Sequence, residues 1–459
     1  MNETFPLRLG KEGLEAIDTF CWGLLGNGFR CEWTAYRYDT TTTSVCRGIA
    51  RIAGGRYKIK RGGCDVQQEA SAAQRVIAER LTSRGLEPER IVCRQGGGWS
   101  CEWRAGRTKA GWSYHCEGDV AGPSLEALVP GPCRLRAPNL APLGPTGGAR
   151  LGVNDDWPLM IREIPRTKRV GAEMLRMPLS WSLVERVPGV YDFGHYDSIY
   201  AAMVENGLQP VFVVSGAPCW AAIAVDCASG GGTEPPGPVF DSRWREFLRQ
   251  VAKRYPKLGA IEVWNEPNYA RFYNGGPNPE RYAELLKLAY EGAKDGNAAT
   301  PVISGGLAPF NKSSAGRMED TVFLRRVYEA GGGRLFADAL GFHAYSGAGP
   351  GGSYIDGLRL QIAGVRDVMA GFEDLDRPIW ITEAGVSTAA GVFSPTQQAE
   401  AIAKIYSTLE RIPGIPVLIV HRWRDQPGKG VESGFGLVAR NGRPKPALCA
   451  LAEVSVGRC

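Results

Sequence analysis

The chain has 459 residues, of which 44% are hydrophobic and 22% charged, and its formal net charge is +6. This balance excludes intrinsic disorder as the main state, because enough apolar side chains are present to form a core. Lys and Arg are interleaved with Asp and Glu, so the sequence offers no basic tract for nucleic-acid binding. No run of about 18 apolar residues occurs, which excludes a membrane-spanning helix.

The twelve cysteines indicate disulfide bonds rather than a metal site. Their spacings include no CxxC pair, and the chain has only four histidines, so a structural zinc site is disfavoured. Disulfides imply an oxidising compartment, and we therefore expect a secreted or extracytoplasmic protein. The first residues, Met-Asn-Glu-Thr-Phe, lack the pattern of a leader. Either a leader precedes this numbering, which we favour, or the cysteines are reduced.

The first third of the chain contains an internal repeat. The tripeptide Cys31–Trp33 returns as Cys101–Trp103, and in each copy the next cysteine follows 15 residues after the first, at Cys46 and Cys116. A duplication is therefore predicted, with one small Cys-rich α+β copy in residues 1–68 and a second in 69–135. Copies of this size bury little core, so we expect disulfides to staple each of them.

Each copy is predicted to hold a helix followed by about three antiparallel strands. Helical periodicity covers residues 11–25 and 70–83, and a glycine turn at 96–98 separates two strand-like runs. The disulfide connectivity stays open, because Cys101 could face either Cys93 or Cys116. The aromatic residues of this segment form either the core of the copies, which we favour, or a stacking surface. In the second case residues 1–135 would bind a cell-wall polymer.

Residues 136–149 are rich in Pro, Gly and Ala and are predicted to be a linker. Short apolar runs then alternate with amphipathic stretches across residues 150–459. This pattern predicts a (β/α)8 TIM barrel. The expected strands are Leu151–Asn154, Met174–Pro178, Pro210–Ser215, Ala260–Asn265, Pro301–Ser304, Ala339–His343, Ile379–Glu383 and Val417–Trp423. The expected helices include Ser242–Tyr255, Pro279–Lys294 and Thr396–Arg411.

Two glutamates end strands of this predicted barrel, where (β/α)8 enzymes place their active sites. Glu266 follows the fourth strand within Trp264–Asn268, and Glu383 ends the seventh within Trp380–Gly385. Strict alternation would point Asn265 and Glu266 to opposite faces, so the strand end must twist or bulge if both serve one site.

These two motifs resemble those of the clan A retaining glycoside hydrolases, most closely family 39 and the cellulase-type members related to family 5. Leu175–Pro178, His343–Tyr345 and Trp423 strengthen the resemblance, which covers residues from about 150 to 450. It implies a hydrolase of β-linked oligo- or polysaccharides that needs no cofactor or metal. Residues 1–135 resemble no family that we recognise.

The resemblance implies a role for each matching residue. Glu266 would be the general acid/base and Glu383 the nucleophile; a carboxyl separation of about 5–5.5 Å would fit retention and about 6.5–9.5 Å inversion. Arg176 and Tyr345 would keep Glu383 ionised, and Asn265 would bind the sugar 2-hydroxyl. His343 is a further substrate-binding candidate. Trp423 would be the floor beneath the sugar, followed by a cis peptide bond to Arg424.

Aromatic residues after other strand ends, namely Trp181, Trp220 and Tyr273, either form subsites or only pack. A catalytically silent glycan-binding protein on the same barrel is the alternative function. A third hypothesis makes residues 1–135 a lid or pro-segment over the barrel mouth, in which case their deletion would raise activity.

Overall fold

A computed structural model divides the chain into two compact units, Met1–Pro138 and Asn139–Cys459. The described residues are 15–24, 28–38, 42–53, 56–69, 72–84, 86–95, 98–109, 112–130, 134–135, 148–155, 161–222, 233–345 and 353–459. Among them, none of the helices has both the length and the apolar character needed to span a membrane. The predicted boundaries of the two copies and the linker stay predictions.

The N-terminal unit is rich in strands. One antiparallel sheet contains β1 (Glu15–Leu24), β2 (Gly28–Tyr38), β3 (Thr42–Ala53) and β4 (Arg56–Glu69), in that order. A second contains β5 (Glu87–Gln95), β6 (Trp99–Lys109), β7 (Trp112–Gly122) and β8 (Arg134–Leu135), also in chain order. Helix α1 (Ala72–Ser83) lies between them in the sequence.

The helix predicted for residues 11–25 is wrong. Residues Glu15–Leu24 form β1, which pairs with β2 along its length. Its alternating apolar, aromatic and polar residues satisfy a strand as well as a helix, and pairing with the next strand decides between them. The second predicted helix is confirmed as α1, whose Ala73, Ile77 and Leu81 are buried. The positions of the sheets and the helix do not test the duplication, which stays a prediction.

The open choice of disulfide in the second copy is settled by β5 and β6. Cys93 lies directly opposite Cys101 in this antiparallel pair, and the two form a disulfide. In the barrel unit, the cysteine spacing also predicts the short-range pairs Cys219–Cys227 and Cys449–Cys459. Cys449 and Cys459 form a disulfide. Cys219 is disulfide-bonded as well, and Cys227 lies outside the described residues.

The C-terminal unit is a (β/α)8 barrel, as predicted. Its strands are β9 (Arg150–Asn154), β10 (Met174–Ser180), β11 (Gln209–Ser215), β12 (Ala260–Asn265), β13 (Val302–Gly306), β14 (Leu340–Ala344), β15 (Ile379–Ala384) and β16 (Val417–His421). Neighbouring strands are parallel, and β16 pairs with β9. Parallel bridges from Ile303 to Ala339 and from Leu307 to Phe342 join β13 to β14 and close the ring.

Helices alternate with these strands. They are α2 (Ile164–Thr167), α3 (Trp181–Val184), α4 (Gly194–Glu205), α5 (Asp241–Arg254), α6 (Pro279–Gly296), α7 (Asp320–Ala330), α8 (Ser353–Gly371), α9 (Pro395–Leu409) and α10 (Pro446–Val456). Helix α9 begins with a capping box at Ser394 and Gln397, and Pro395 occupies its first turn.

A buried cluster of strand side chains fills the barrel at the level where the strands begin. Its members are Met174, Val211, Ala260, Ile303, Ala339, Trp380, Val417 and Ile419. Because this layer is apolar, the polar residues of the same strands lie toward their carboxyl ends. The fold thereby collects the ionisable groups at one end of the ring.

Candidate active site

A pocket of about 620 Å³ opens at the carboxyl ends of the barrel strands. Its polar lining includes Arg176, Asn265, Glu266, Tyr345 and Glu383. These five residues come from β10, β12, the end of β14 and β15. The structure therefore brings together the two glutamates and three of the other predicted site residues.

The backbone around Asn265 explains how two consecutive side chains reach the same pocket. Trp264 has a φ of 76° and Glu266 a φ of 43°, which are left-handed values uncommon for residues with a side chain. These two residues break the alternation of β12, so Asn265 and Glu266 both line the pocket. Strained backbone of this kind is held in place by its surroundings and is concentrated at functional sites. Glu266 is fixed by the hydrogen bond from its amide nitrogen to the Gly306 carbonyl, 3.0 Å long.

Glu383 is a buried carboxylate surrounded by donors. Oε1 accepts hydrogen bonds from Arg176 Nη1 at 2.6 Å and Asn154 Nδ2 at 3.0 Å, and Oε2 accepts one from the Tyr345 hydroxyl at 2.7 Å. Burial alone would raise the pKa of Glu383, but the charges of His343, His421 and Arg176 and the Tyr345 hydrogen bond outweigh it. The pKa of Glu383 is therefore well below its usual range, and the group stays ionised.

Arg176 is itself fully buried and paired with more than one acid. It contacts Glu262 through Nε at 2.7 Å and Nη2 at 3.0 Å, and Nη2 also donates to Asn265 Oδ1 at 2.8 Å. Burial opposes the charge of the guanidinium, but Glu262 and Glu383 raise its pKa above the usual range. Arg176 thus orients both Glu383, the predicted nucleophile, and Asn265, which is predicted to bind the sugar 2-hydroxyl.

Glu266 has a less charged environment. Its Oε1 lies 2.9 Å from His343 Nδ1, and its side chain remains 12% exposed. Burial lowers the pKa of His343, but the charges of Glu383 and Glu266 outweigh this effect and raise it above the usual value. His343 Nδ1 faces Glu266, whereas its Nε2 lies 3.5 Å from Arg176 Nη2.

The relation between the two glutamates is the central distance of the site. One oxygen of Glu266 and one of Glu383 lie within 4.8 Å of each other and of a nitrogen of His343. Such a group of ligands has the reach to hold a metal ion. However, the guanidinium of Arg176 already binds Glu383 at 2.6 Å and would repel a second cation there. The arrangement instead suits two carboxyl groups acting on one bond.

Several predicted substrate contacts are corrected by the structure. His343 is fully buried and touches Glu266 instead of lining the pocket. Trp181 is also fully buried, with its Nε1 bonded to Glu185 at 2.6 Å, and Trp220 packs edge-on against it. Neither tryptophan lines the pocket, because both belong to an aromatic cluster with Trp244 and Phe247.

The predicted sugar floor is also misplaced. Trp423 is only 1% exposed and does not line the pocket, and the cis peptide bond joins His421 to Arg422 rather than following Trp423. Strand β16 ends at His421, which lines the pocket. The amide of Trp423, two residues later, donates a hydrogen bond to the Asn154 carbonyl at 2.8 Å. The ring of Phe435 lies against His421, with centroids 5.1 Å apart.

Asn154 and His421 belong to the site, although neither was expected there. Asn154 Nδ2 lies 2.9 Å from His421 Nδ1 and 3.0 Å from Glu383, so it joins the first, seventh and eighth barrel strands. Burial lowers the pKa of His421, although the charge of Glu383 opposes this effect. Asn154 ends a predicted strand, the signal that identified Glu383, so the same rule would have found it. His421 ends the observed strand, whereas the predicted strand ran on to Trp423 and pointed to that residue instead.

A match to a protein family covers most of the barrel. The model of glycosyl hydrolases family 39 matches residues 184–455, which include both glutamates. The chain belongs to glycosyl hydrolase family 39. This family 39 protein is therefore a glycoside hydrolase, and its substrate is a carbohydrate.

Solved structures agree with the family 39 fold. A family 39 glycoside hydrolase from Bacteroides cellulosilyticus WH2 is 19% identical over 90% of this chain and 74% of its own, with a TM-score of 0.52. A family 39 β-xylosidase from Caulobacter crescentus is 20% identical over 69% and 73%, with a TM-score of 0.53. A family 5 subfamily 18 enzyme from Streptomyces cattleya is 16% identical over 67% and 79%, with a TM-score of 0.51. At these identities the likeness concerns the fold.

Proposed function

We propose that this protein hydrolyses a β-linked glycan with retention of configuration, using Glu383 as the nucleophile and Glu266 as the general acid/base. One observation carries the proposal: carboxylate oxygens of the two residues lie within 4.8 Å of each other in one open pocket. This spacing supports double displacement, because inverting enzymes need about 6.5–9.5 Å to admit a water molecule between the carboxyl groups.

In the first step, Glu383 attacks the anomeric carbon. The carbon–oxygen bond to the leaving group breaks while Glu266 gives its proton to that oxygen. The products are a glycosyl ester on Glu383 and a deprotonated Glu266. Arg176 and Tyr345 hold the attacking carboxylate in place from two directions.

In the second step, Glu266 removes a proton from water, and the water oxygen bonds to the anomeric carbon. The ester bond breaks, and Glu383 returns to its ionised form. Asn265 would bind the sugar 2-hydroxyl through its amide nitrogen; this role is supported by the hydrogen bond that holds its Oδ1 to Arg176 and by its position in the pocket lining. His343 acts as a positioning residue for Glu266.

The two carboxyl groups divide the work because their surroundings differ. Glu383 has a guanidinium, a phenol and an amide as hydrogen-bond donors. The charges of His343, His421 and Arg176, with the phenol, outweigh burial and hold its pKa low. Glu266 has a single histidine contact, although its side chain is buried to nearly the same degree, 12% exposed against 9% for Glu383. A carboxylate surrounded by donors beside a carboxyl group with few partners is the pairing that a nucleophile and a proton donor require.

A panel of aryl β-glycosides tests the proposal, with β-xylosides included because β-xylosidases are among the structural neighbours. We expect turnover of at least one glycoside, loss of activity in Glu383→Gln and Glu266→Gln, and normal activity in Glu329→Gln, an exposed control. A 2-deoxy-2-fluoro glycoside of the accepted sugar should add its glycosyl mass to Glu383. No turnover on any sugar would favour the silent glycan-binding alternative, and an inverted product would exclude double displacement.

We further propose that the protein is exported and that residues 1–135 contact a cell-wall polymer. The disulfides Cys93–Cys101 and Cys449–Cys459 support an oxidising compartment. Fractionation of the producing cells, with thiol alkylation before and after reduction, tests the location. Sedimentation of the full chain with cell walls, compared with a variant lacking residues 1–135, tests the second point.

A further inference from the structure

Three aromatic rings form a wall of the pocket on the side of Glu266. Tyr269, Phe272 and Phe310 all line the pocket, and each is only partly buried. The Tyr269 ring centroid lies 5.9 Å from that of Phe272 and 5.2 Å from that of Phe310, with edge-to-face geometry. We call these three residues the aromatic wall. Such partly exposed rings are suited to contact the apolar face of a sugar.

Two arginines stack against the aromatic wall: Arg271 lines the pocket with it, and Arg317 lies beside the pocket. The guanidinium carbon of Arg317 lies 5.0 Å from the Tyr269 ring centroid and 5.1 Å from that of Phe310, and that of Arg271 lies 5.3 Å from Phe272. Arg317 Nη2 also donates to the Tyr269 hydroxyl at 3.2 Å. Stacking on rings restricts each guanidinium to one region without neutralising its charge.

Neither arginine has a tight acidic partner among the described residues. The ion pair of Arg271 with Glu432 is 3.9 Å long, and both side chains are more than half exposed. An ion pair of this kind contributes little. The planar donors of both groups therefore remain able to bind a carboxylate or sulfate, which they match with two parallel hydrogen bonds.

The aromatic wall is held rigidly beside Glu266. The Tyr269 amide donates to the Glu266 carbonyl at 2.9 Å, so the wall begins directly after the acid/base. Asn268 ties this loop to the next one, because its side chain donates to the Ala308 carbonyl and accepts from the Ala308 amide. A bridge between Tyr269 and Arg317 aligns the second loop with the first.

The position of the wall decides which part of the substrate it meets. Glu266 protonates the departing oxygen, so the leaving group occupies the Glu266 side of the pocket, and the sugar bonded to Glu383 occupies the other. We infer that the aromatic wall with Arg271 and Arg317 is a leaving-group subsite for a sugar that carries a carboxylate or a sulfate. This inference rests on the proposed function and defines the substrate class of the same site.

Binding of three methyl glycosides to the full-length protein tests the subsite. Methyl β-D-glucuronide carries a carboxylate, methyl β-D-glucoside 6-sulfate a sulfate, and methyl β-D-glucoside no charge. We expect at least one charged probe to bind about tenfold more tightly than the uncharged one, as charge-assisted hydrogen bonds allow. The tighter charged probe identifies the anion, and added salt should reduce the preference.

Variants separate the subsite from general charge attraction. Arg271→Ala and Arg317→Ala should each reduce the preference for the anion, because both guanidinium groups stack on the aromatic wall. Arg411→Ala, at an exposed arginine that follows α9 and is not part of the wall, should keep it. The same probes can accept the glycosyl group from Glu383 in place of water, and the charged acceptor should be used preferentially. Equal binding of all three probes to the wild-type protein would overturn the inference. Binding does not require turnover, so a failed glycoside panel would reject the proposed function without deciding this point.

Discussion

Arg176 forms a two-point ion pair with Glu262, at 2.7 Å from Nε and 3.0 Å from Nη2, while both side chains are almost wholly buried. Glu262 also accepts a hydrogen bond from the Gly306 amide at 2.9 Å, which joins it to the neighbouring strand. Glu262 therefore anchors the arginine that orients Glu383. No catalytic role was expected for Glu262, and its function is to hold the side chain of Arg176.

Arg176→Met should destabilise the protein and abolish most activity. Removal of the cation leaves Glu262 and Glu383 buried without their partner, which we expect to cost about 3–5 kcal/mol at neutral pH. The folded-state pKa of Glu383 would rise from its low wild-type position, because one of the charges that lower it is gone. The stability lost relative to wild type should therefore be smallest near pH 4 and grow as the pH rises. Urea unfolding at several pH values measures this.

Arg254→Met provides the matched control for that experiment. Arg254 also pairs with a carboxylate, that of Asp197, but both side chains are well exposed. Its loss should cost less than about 1 kcal/mol. Equal losses of unfolding free energy in the two variants would show that the buried ion pair stabilises the protein no more than the exposed one.

Tyr345→Phe should lower kcat by about 10²-fold and move the acidic limb of the pH profile upward. The Tyr345 hydroxyl stabilises the ionised form of Glu383, which must be ionised to attack, so its removal raises the pKa of Glu383. In the wild-type enzyme the acidic limb due to Glu383 should lie below about pH 4, the usual carboxyl range. Profiles of kcat/KM against pH provide the measurement.

Tyr354→Phe serves as the control for this shift. Tyr354 lines the same pocket, but its hydroxyl donates to the Gly385 carbonyl at 3.1 Å and not to a glutamate. The acidic limb of the Tyr354→Phe pH profile should lie at the same pH as that of the wild-type enzyme. An unmoved limb in Tyr345→Phe would argue against Glu383 as the nucleophile.

Gly306→Ala should disturb His343. A Cβ at this position would collide with His343 Nε2 and Thr382 Oγ1, both in the packed barrel. We expect a destabilisation of about 1–3 kcal/mol and a reduced kcat, because a displaced His343 no longer orients Glu266. Gly371→Ala meets no atom within 4 Å and should leave both quantities nearly unchanged. Thermal unfolding and steady-state kinetics compare the pair.

Asp320→Asn should make the protein more stable at neutral pH. Asp320 begins α7, where burial raises its pKa to about 7, although it accepts a hydrogen bond from the Thr321 amide. A folded pKa above the unfolded value means that wild-type stability is lost as the pH rises from about 4 to 7. Asparagine does not ionise, so the variant does not lose this stability. The difference in unfolding free energy between the variant and the wild type should therefore grow from pH 4 to pH 7, up to about 4 kcal/mol.

Chemical unfolding of both proteins at pH 4.5 and pH 7.5 measures this difference. Asp356→Asn, at an exposed position in α8, should show no such growth. A constant difference between Asp320→Asn and wild type would mean that Asp320 is ionised in the folded protein throughout the range.

The barrel strands were predictable because each is a short apolar run whose burial requires neighbours on both sides. All eight are confirmed, with ends that differ from the prediction by no more than two residues. The helix expected over residues 11–25 failed because its pattern also fits a strand, and pairing with β2 decided the outcome. Local periodicity carries no information about such a partner.

The amino-acid sequence determined that Glu266 and Glu383 end barrel strands, and hence that they share one rim. Only the tertiary structure decided which neighbours reach that rim. The left-handed backbone of Trp264 and Glu266 turns the side chains of Asn265 and Glu266 into the same pocket. Strand β16 ends at His421, and Trp423 is buried beyond it. Trp181 is buried in the aromatic cluster. The direction of a side chain depends on backbone angles and on packing between segments distant in sequence, which the order of residues alone does not display.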